Sequence, residues 1–132
     1  MTHSIGALAR LTDISIATVR FYERRGLLPK PPRNAYGHRQ YDASFVRRIT
    51  FIRRAQGLGF TLGEIKELLR LRDGGGNGCA EMRRRATDRL DETRARIREL
   101  HFVRSQLEDL VERCDRAHGE TDDCPAFAVL EA

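Results

Sequence analysis

The chain has no apolar run long enough to cross a membrane. Its first residues, Met1-Thr2-His3-Ser4, lack the basic start and apolar stretch of a secretory leader, so a cytoplasmic protein is expected. No H-E-x-x-H, no nucleophile elbow and no paired catalytic carboxylates occur, which argues against an enzyme. Internal repeats and low-complexity tails are also missing. Cysteine is scarce and odd in number, with 3 in 132 residues. In a reducing compartment an odd set is poorly explained by disulfides and better by thiol or metal chemistry.

The three cysteines are Cys79, Cys114 and Cys124, the pattern C-x34-C-x9-C. The last two bracket a short polar loop, Asp115 to Asp123, and two thiolates across such a loop can grip one soft metal ion. The segment between Cys79 and Cys114 has helical periodicity. One straight helix of that length separates its ends by roughly 50 Å at about 1.5 Å per residue. Cys79 therefore joins the pair only from a second, antiparallel chain, which predicts a dimer with a site straddling two subunits. Neighbouring Arg113 and Arg116 are expected to favour the Cys114 thiolate.

Charge is unevenly spread. Residues 1–60 hold 11 Lys/Arg against 3 Asp/Glu, a balance of +8, and residues 61–132 hold 13 against 16, a balance of −3. A basic front on a near-neutral back is the footprint of a nucleic-acid-binding head joined to a separate device.

Periodicity and turn chemistry predict the order of elements. Ile5, Leu8, Ala9 and Leu11 form a short helical face. Asp13 and Ser15 supply turn and cap chemistry before a second helix from Ile16 to about Arg25, a helix-turn-helix pattern. Pro29, Pro31 and Pro32 forbid further helix. Residues 33–41, with alternating aromatic and basic positions, read as a small hairpin wing. Asp42 caps a third helix carrying Phe45, Val46, Ile49, Ile52 and Ala55. Thr61 with Glu64 forms a capping box for a fourth helix to about Arg72. A glycine-rich hinge at 73–79 follows, then a long helix at 80–114 and a loop and C-terminal segment at 115–132. On the long helix Leu90, Ile97, Arg104 and Val111, with Thr93, Leu100, Leu107 and Cys114, trace a heptad seam. A helix so polar elsewhere needs a partner for that stripe. The expected fold is mostly α: a winged helix-turn-helix head at 1–72 and a long antiparallel coiled-coil dimerisation helix.

In such a head the second helix enters the major groove. It carries Thr18, Arg20, Tyr22 and Arg24 as candidate DNA contacts, and Arg20 and Arg24 share a face. The wing adds Arg33, Tyr36, His38, Arg39 and Tyr41, and the third helix adds Arg53 and Arg54.

Four stretches carry a resemblance. They are Ile5-Gly6-Ala7-Leu8-Ala9, the run from Thr18 to Leu28, Tyr36-Gly37-His38-Arg39-Gln40-Tyr41, and the run from Phe51 to Ile65. Together they closely resemble the MerR family of transcription regulators, with its R-[FY]-Y-E run and G-x-R-x-Y wing. The resemblance implies a homodimer on double-stranded promoter DNA. An effector makes that dimer bend and untwist the DNA so that RNA polymerase engages both promoter elements. It also places Cys79, Cys114 and Cys124 at the ligand positions of the family's heavy-metal sensors. Members for monovalent copper, silver and gold commonly carry Ser where Cys79 stands, so this chain resembles the divalent group: mercury, zinc, cadmium or lead. Zinc prefers four ligands, and Asp115, His118 or a water is a candidate fourth. A thiol-redox regulator on the same scaffold is the alternative, with Cys114 and Cys124 pairing across the loop.

Overall fold

The computed structural model describes residues 1–74, 76–117 and 124–132. Its helices are α1 (Ile5–Thr12), α2 (Ile16–Arg24), α3 (Ala43–Gly57), α4 (Leu62–Gly74), α5 (Gly78–Arg116) and α6 (Pro125–Glu131). Two compact units are distinguished, Met1–Arg83 and Arg84–Ala132.

Local chemistry starts each helix of the first unit. Ser4 and Ser15 accept from the backbone N–H groups of Ala7 and Thr18, at 3.2 and 3.0 Å. Asp42 accepts from the Ser44 N–H at 2.9 Å. The Thr61–Glu64 capping box is reciprocal: Glu64 N–H donates to Thr61 Oγ1 at 3.1 Å, and Thr61 N–H to Glu64 Oε1 at 3.0 Å. Each satisfies donors that a helix start leaves orphaned. Asp13, with φ of 56°, closes α1 in the left-handed region and makes the sharp turn into α2.

α1 packs on α2 and α3, and α3 on α4. Leu8, Val19, Leu27, Tyr41, Ile49, Ile52, Ile65 and Leu69 are essentially fully buried among them. The expected apolar positions of α3 are all in or against this core. Leu11 is instead 58% exposed, because it falls off the face that carries Leu8 and Ala9. The wing is a short hairpin held by single antiparallel bridges, Arg33 to Arg39 and, at its root, His3 to Tyr41. Its turn uses Gly37 at φ of 78°. Asp73 and Gly74 belong to α4, and Gly78 and Cys79 to α5, so helix ends occupy most of the stretch read as a hinge.

In the second unit, α5 continues to Arg116, two residues past the expected end, and buries none of its side chains. Leu90, Ile97, Leu100, Leu107 and Val111 stand between 47% and 59% exposed along one stripe. Arg104, the polar member of the seam, pairs with Glu108 one turn on at 3.3 Å. Further pairs of the same spacing, such as Arg84–Asp88 and Arg113–Asp109, line the helix. Such exposed pairs are worth only about 0.2–0.5 kcal/mol each and leave the stripe as the main unmet demand. α6 lies in the segment that sequence patterns left unassigned. Pro125 stands at its start, where its missing N–H costs nothing.

Ile52→Ala is expected to lower head stability by about 2–5 kcal/mol, because its side chain is fully enclosed. Urea unfolding followed by circular dichroism checks this, and a loss under 1 kcal/mol would show that the site collapses around the gap.

Candidate nucleic-acid interface and metal centre

Arg20 and Arg24 project from α2 as exposed side chains. Thr18 is half-buried at the start of the same helix, its hydroxyl 2.8 Å from that of Ser15. In the wing, Tyr36 is 85% exposed and His38 is exposed beside it. The Asn34 side chain accepts from the N–H groups of both, at 2.9 and 3.0 Å, and shapes the tip. Arg33 is exposed and also donates to the Gly37 carbonyl at 2.7 Å. On α3, Arg54 is exposed; Arg53 is exposed too, but one of its nitrogens donates to the Thr12 carbonyl at 2.7 Å, closing the end of α1.

Two aromatic residues expected to face DNA do not. Tyr22 is 4% exposed and donates its hydroxyl to Gln56 Oε1 at 3.0 Å. Tyr41 is 0% exposed and packs edge-on against Phe45, with centroids 5.1 Å apart. Both rings are core, because their helical and wing positions point inward. The expectation that they touch DNA is therefore corrected. Burial, and then the bond to Glu23, push the Tyr41 phenol above its ordinary pKa, so it stays a neutral donor.

Glu23 is the residue that sequence reasoning passed over. Its carboxylate is 13% exposed and holds Arg39 at 2.6 Å and the Tyr41 hydroxyl at 2.5 Å. Arg39, expected as a free phosphate contact, is thus engaged within the head. A signal was available: Glu23 is one of only three acids in the basic front of the chain.

In the second unit, the end of α5 and the start of α6 bring two thiols together. Cys114 Sγ and Cys124 Sγ lie 3.3 Å apart. Cys114 is exposed and Cys124 half-buried, and both are free. Two thiolates on one tetrahedral ion at about 2.3 Å each stand about 3.8 Å apart. A disulfide draws its sulfurs to about 2.05 Å. To hold such an ion the pair would open by about half an ångström, a smaller movement than closing to a disulfide requires. The donor set is right for a soft cation. The hydrogen bond with Cys124 comes first among the causes that raise the Cys114 pKa, then partial desolvation, then the charges of Cys124 and Asp115. A cation reverses those penalties.

The help expected from Arg113 and Arg116 is absent. Arg113 pairs with Asp109 at 3.0 Å and Arg116 with Glu112, each one turn back along α5. Asp115 is exposed in the last turn of that helix. His118, read as a possible ligand, lies outside the described residues, as do Asp122 and Asp123. Cys79 is exposed in the first turn of α5, with 34 residues of helix between it and Cys114, and opens on an apolar groove lined by Phe51, Leu68, Leu71 and Met82. Among the described residues, no group of three or more His, Cys, Asp and Glu side chains converges within the chain.

Two family models match: MerR HTH family regulatory protein over residues 3–71, and MerR, DNA binding over residues 46–110. The mercuric resistance operon regulatory protein of Serratia marcescens is 38% identical over 128 residues, 97% of this chain and 87% of that protein. The lead(II) complex of the transcription regulator PbrR691 from Ralstonia metallidurans CH34 superposes with a TM-score of 0.78 at 35% identity, covering 97% of this chain and 98% of that one. HiNmlR, a MerR family regulator lacking the sensor domain and bound to promoter DNA, superposes with a TM-score of 0.64 at 25% identity, covering 89% of each. With its helix-turn-helix head, wing and long helix in place, the chain belongs to the MerR family: it is a DNA-binding transcription regulator, not an enzyme.

Proposed function

We propose that this regulator senses a soft divalent metal ion of the mercury, lead, zinc or cadmium kind through thiolates from two subunits. The observation that carries the reading is the Cys114–Cys124 pair, 3.3 Å apart, at the end of a helix whose whole apolar stripe is exposed. A second copy of the chain, antiparallel along α5, would cover Leu90, Ile97, Leu100, Leu107 and Val111. The same arrangement carries one copy's Cys79 toward the other copy's thiol pair. A third thiolate suits a divalent soft ion, whereas a pair alone suits a linear monovalent one. Support comes from relatives named for mercury and zinc and from a similar structure solved with lead(II).

The working parts divide along the chain. Arg20 and Arg24 present guanidinium groups to the major groove from α2, with Thr18 at its start. Arg33, Tyr36 and His38 on the wing, and Arg53 and Arg54 on α3, add contacts that set register on the backbone. Ligation that joins two chains favours one arrangement of the dimer over another. Only such unequal binding moves an equilibrium. The two heads then hold promoter DNA in a bent and untwisted form that lets RNA polymerase engage it. The thiol-redox alternative has less support, because Cys79 has no part in it.

Three measurements test this division. Cys79→Ser is expected to weaken metal-induced transcription while operator affinity stays within about twofold of wild type; loss of DNA binding would contradict separate head and sensor. Arg20→Ala is expected to weaken operator binding by about 1–3 kcal/mol in a gel-shift titration. An unchanged affinity would remove it from the contact set. Leu100→Glu combined with Leu107→Glu is expected to convert the dimer to monomer in sedimentation, and an intact dimer would mean another surface pairs the chains.

A further inference from the structure

We infer that Glu23 is a positioning residue that locks the wing to the recognition helix α2, and that Arg39 serves DNA binding through Glu23 rather than by touching phosphate. The inference rests on the head binding DNA as described above. Each Glu23 oxygen has one partner. Oε1 accepts from the Tyr41 hydroxyl at 2.5 Å, and Oε2 from Arg39 at 2.6 Å. The two partners differ in kind. Tyr41 is anchored: its ring is fully buried against Phe45, and its backbone N–H and C=O pair with His3 at 2.9 and 2.6 Å. Arg39 stands two residues along the wing and bridges to Arg33 across it. Glu23 thus ties a fixed point in the core to the outer arm of the hairpin, from the very helix that enters the groove.

Outside Glu23, the wing's remaining ties are to the N-terminal segment, the Thr2 hydroxyl donating to Gln40 Oε1 at 2.5 Å and the His3–Tyr41 pairing at its root, and neither reaches α2. Single bridges rather than a ladder form it. Its tip is internally braced by Asn34 and by the Arg33 bond to Gly37, but those contacts lie within the hairpin and do not orient it. The only acid on α2 would by itself repel DNA, so its place there needs a reason. A carboxylate that is 13% exposed, with a partner on each oxygen, supplies one.

The alternative, Arg39 as a direct phosphate contact, differs in sign. Full-length dimeric protein and variants are titrated against an operator fragment selected by this protein from a random duplex library. If Arg39 touches phosphate, Arg39→Gln weakens binding and Glu23→Gln tightens it, because an acid near the backbone is gone. If Glu23 is the lock, both weaken binding by about tenfold, the worth of a charged hydrogen bond. The double variant is then no weaker than either single one. Tyr41→Phe keeps the ring in the core and removes only the hydroxyl. It is expected to weaken binding by a smaller factor while the head stays folded at the titration temperature, and ethylation interference should fade at the wing phosphates alone. Opposite signs for Glu23→Gln and Arg39→Gln, or an unchanged affinity in Tyr41→Phe, overturn the inference. A wild-type protein that selects no duplex would instead overturn the DNA reading of the head.

Discussion

A helix of 39 residues that buries none of them is the constraint on which the rest depends. Its i, i+4 ion pairs and good helix formers sustain helical backbone, but they do not remove Leu90, Ile97, Leu100, Leu107 and Val111 from water. Those five side chains are spaced to meet a second helix, and the seam's one cationic member is already neutralised by Glu108. The proposed pairing of two copies answers a demand the single chain cannot meet. It also explains why the thiols sit at opposite ends of one helix. Antiparallel pairing is the arrangement that brings opposite ends together.

The head solves a different problem. Fifteen buried apolar side chains hold its helices in place, and its caps are supplied by Ser4, Ser15, Asp42 and Thr61. That leaves its arginines free to spread over the surface or to brace it. Arg53 and Arg39 do some of the bracing, through Thr12 and Glu23. A basic patch is thus not a uniform reservoir of contacts, because a guanidinium with a carboxylate at 2.6 Å is partly occupied before DNA arrives.

The thiol pair is tuned by its own members. Cys124 disfavours ionisation of Cys114, and Asp115 adds to the effect. Arg113 and Arg116, the nearest cations in the sequence, are turned to their own carboxylates.

Sequence alone determined the elements. Apolar spacing marked α1 to α5, cap residues marked the starts of α2, α3 and α4, and the heptads marked α5 as a helix in need of cover, because these depend on local periodicity and local hydrogen bonding. It also singled out Cys114 and Cys124, though not their 3.3 Å approach. Tertiary structure decided which way side chains point and with whom they pair. Tyr22 and Tyr41 look like surface aromatics in a basic run, yet the packing of α3 under the wing draws both inside. Glu23 looks like a stray acid until Arg39 and Tyr41 converge on it across 16 and 18 residues of chain. Partners so far apart in sequence leave no periodic trace, since only the folded core fixes the distance between them.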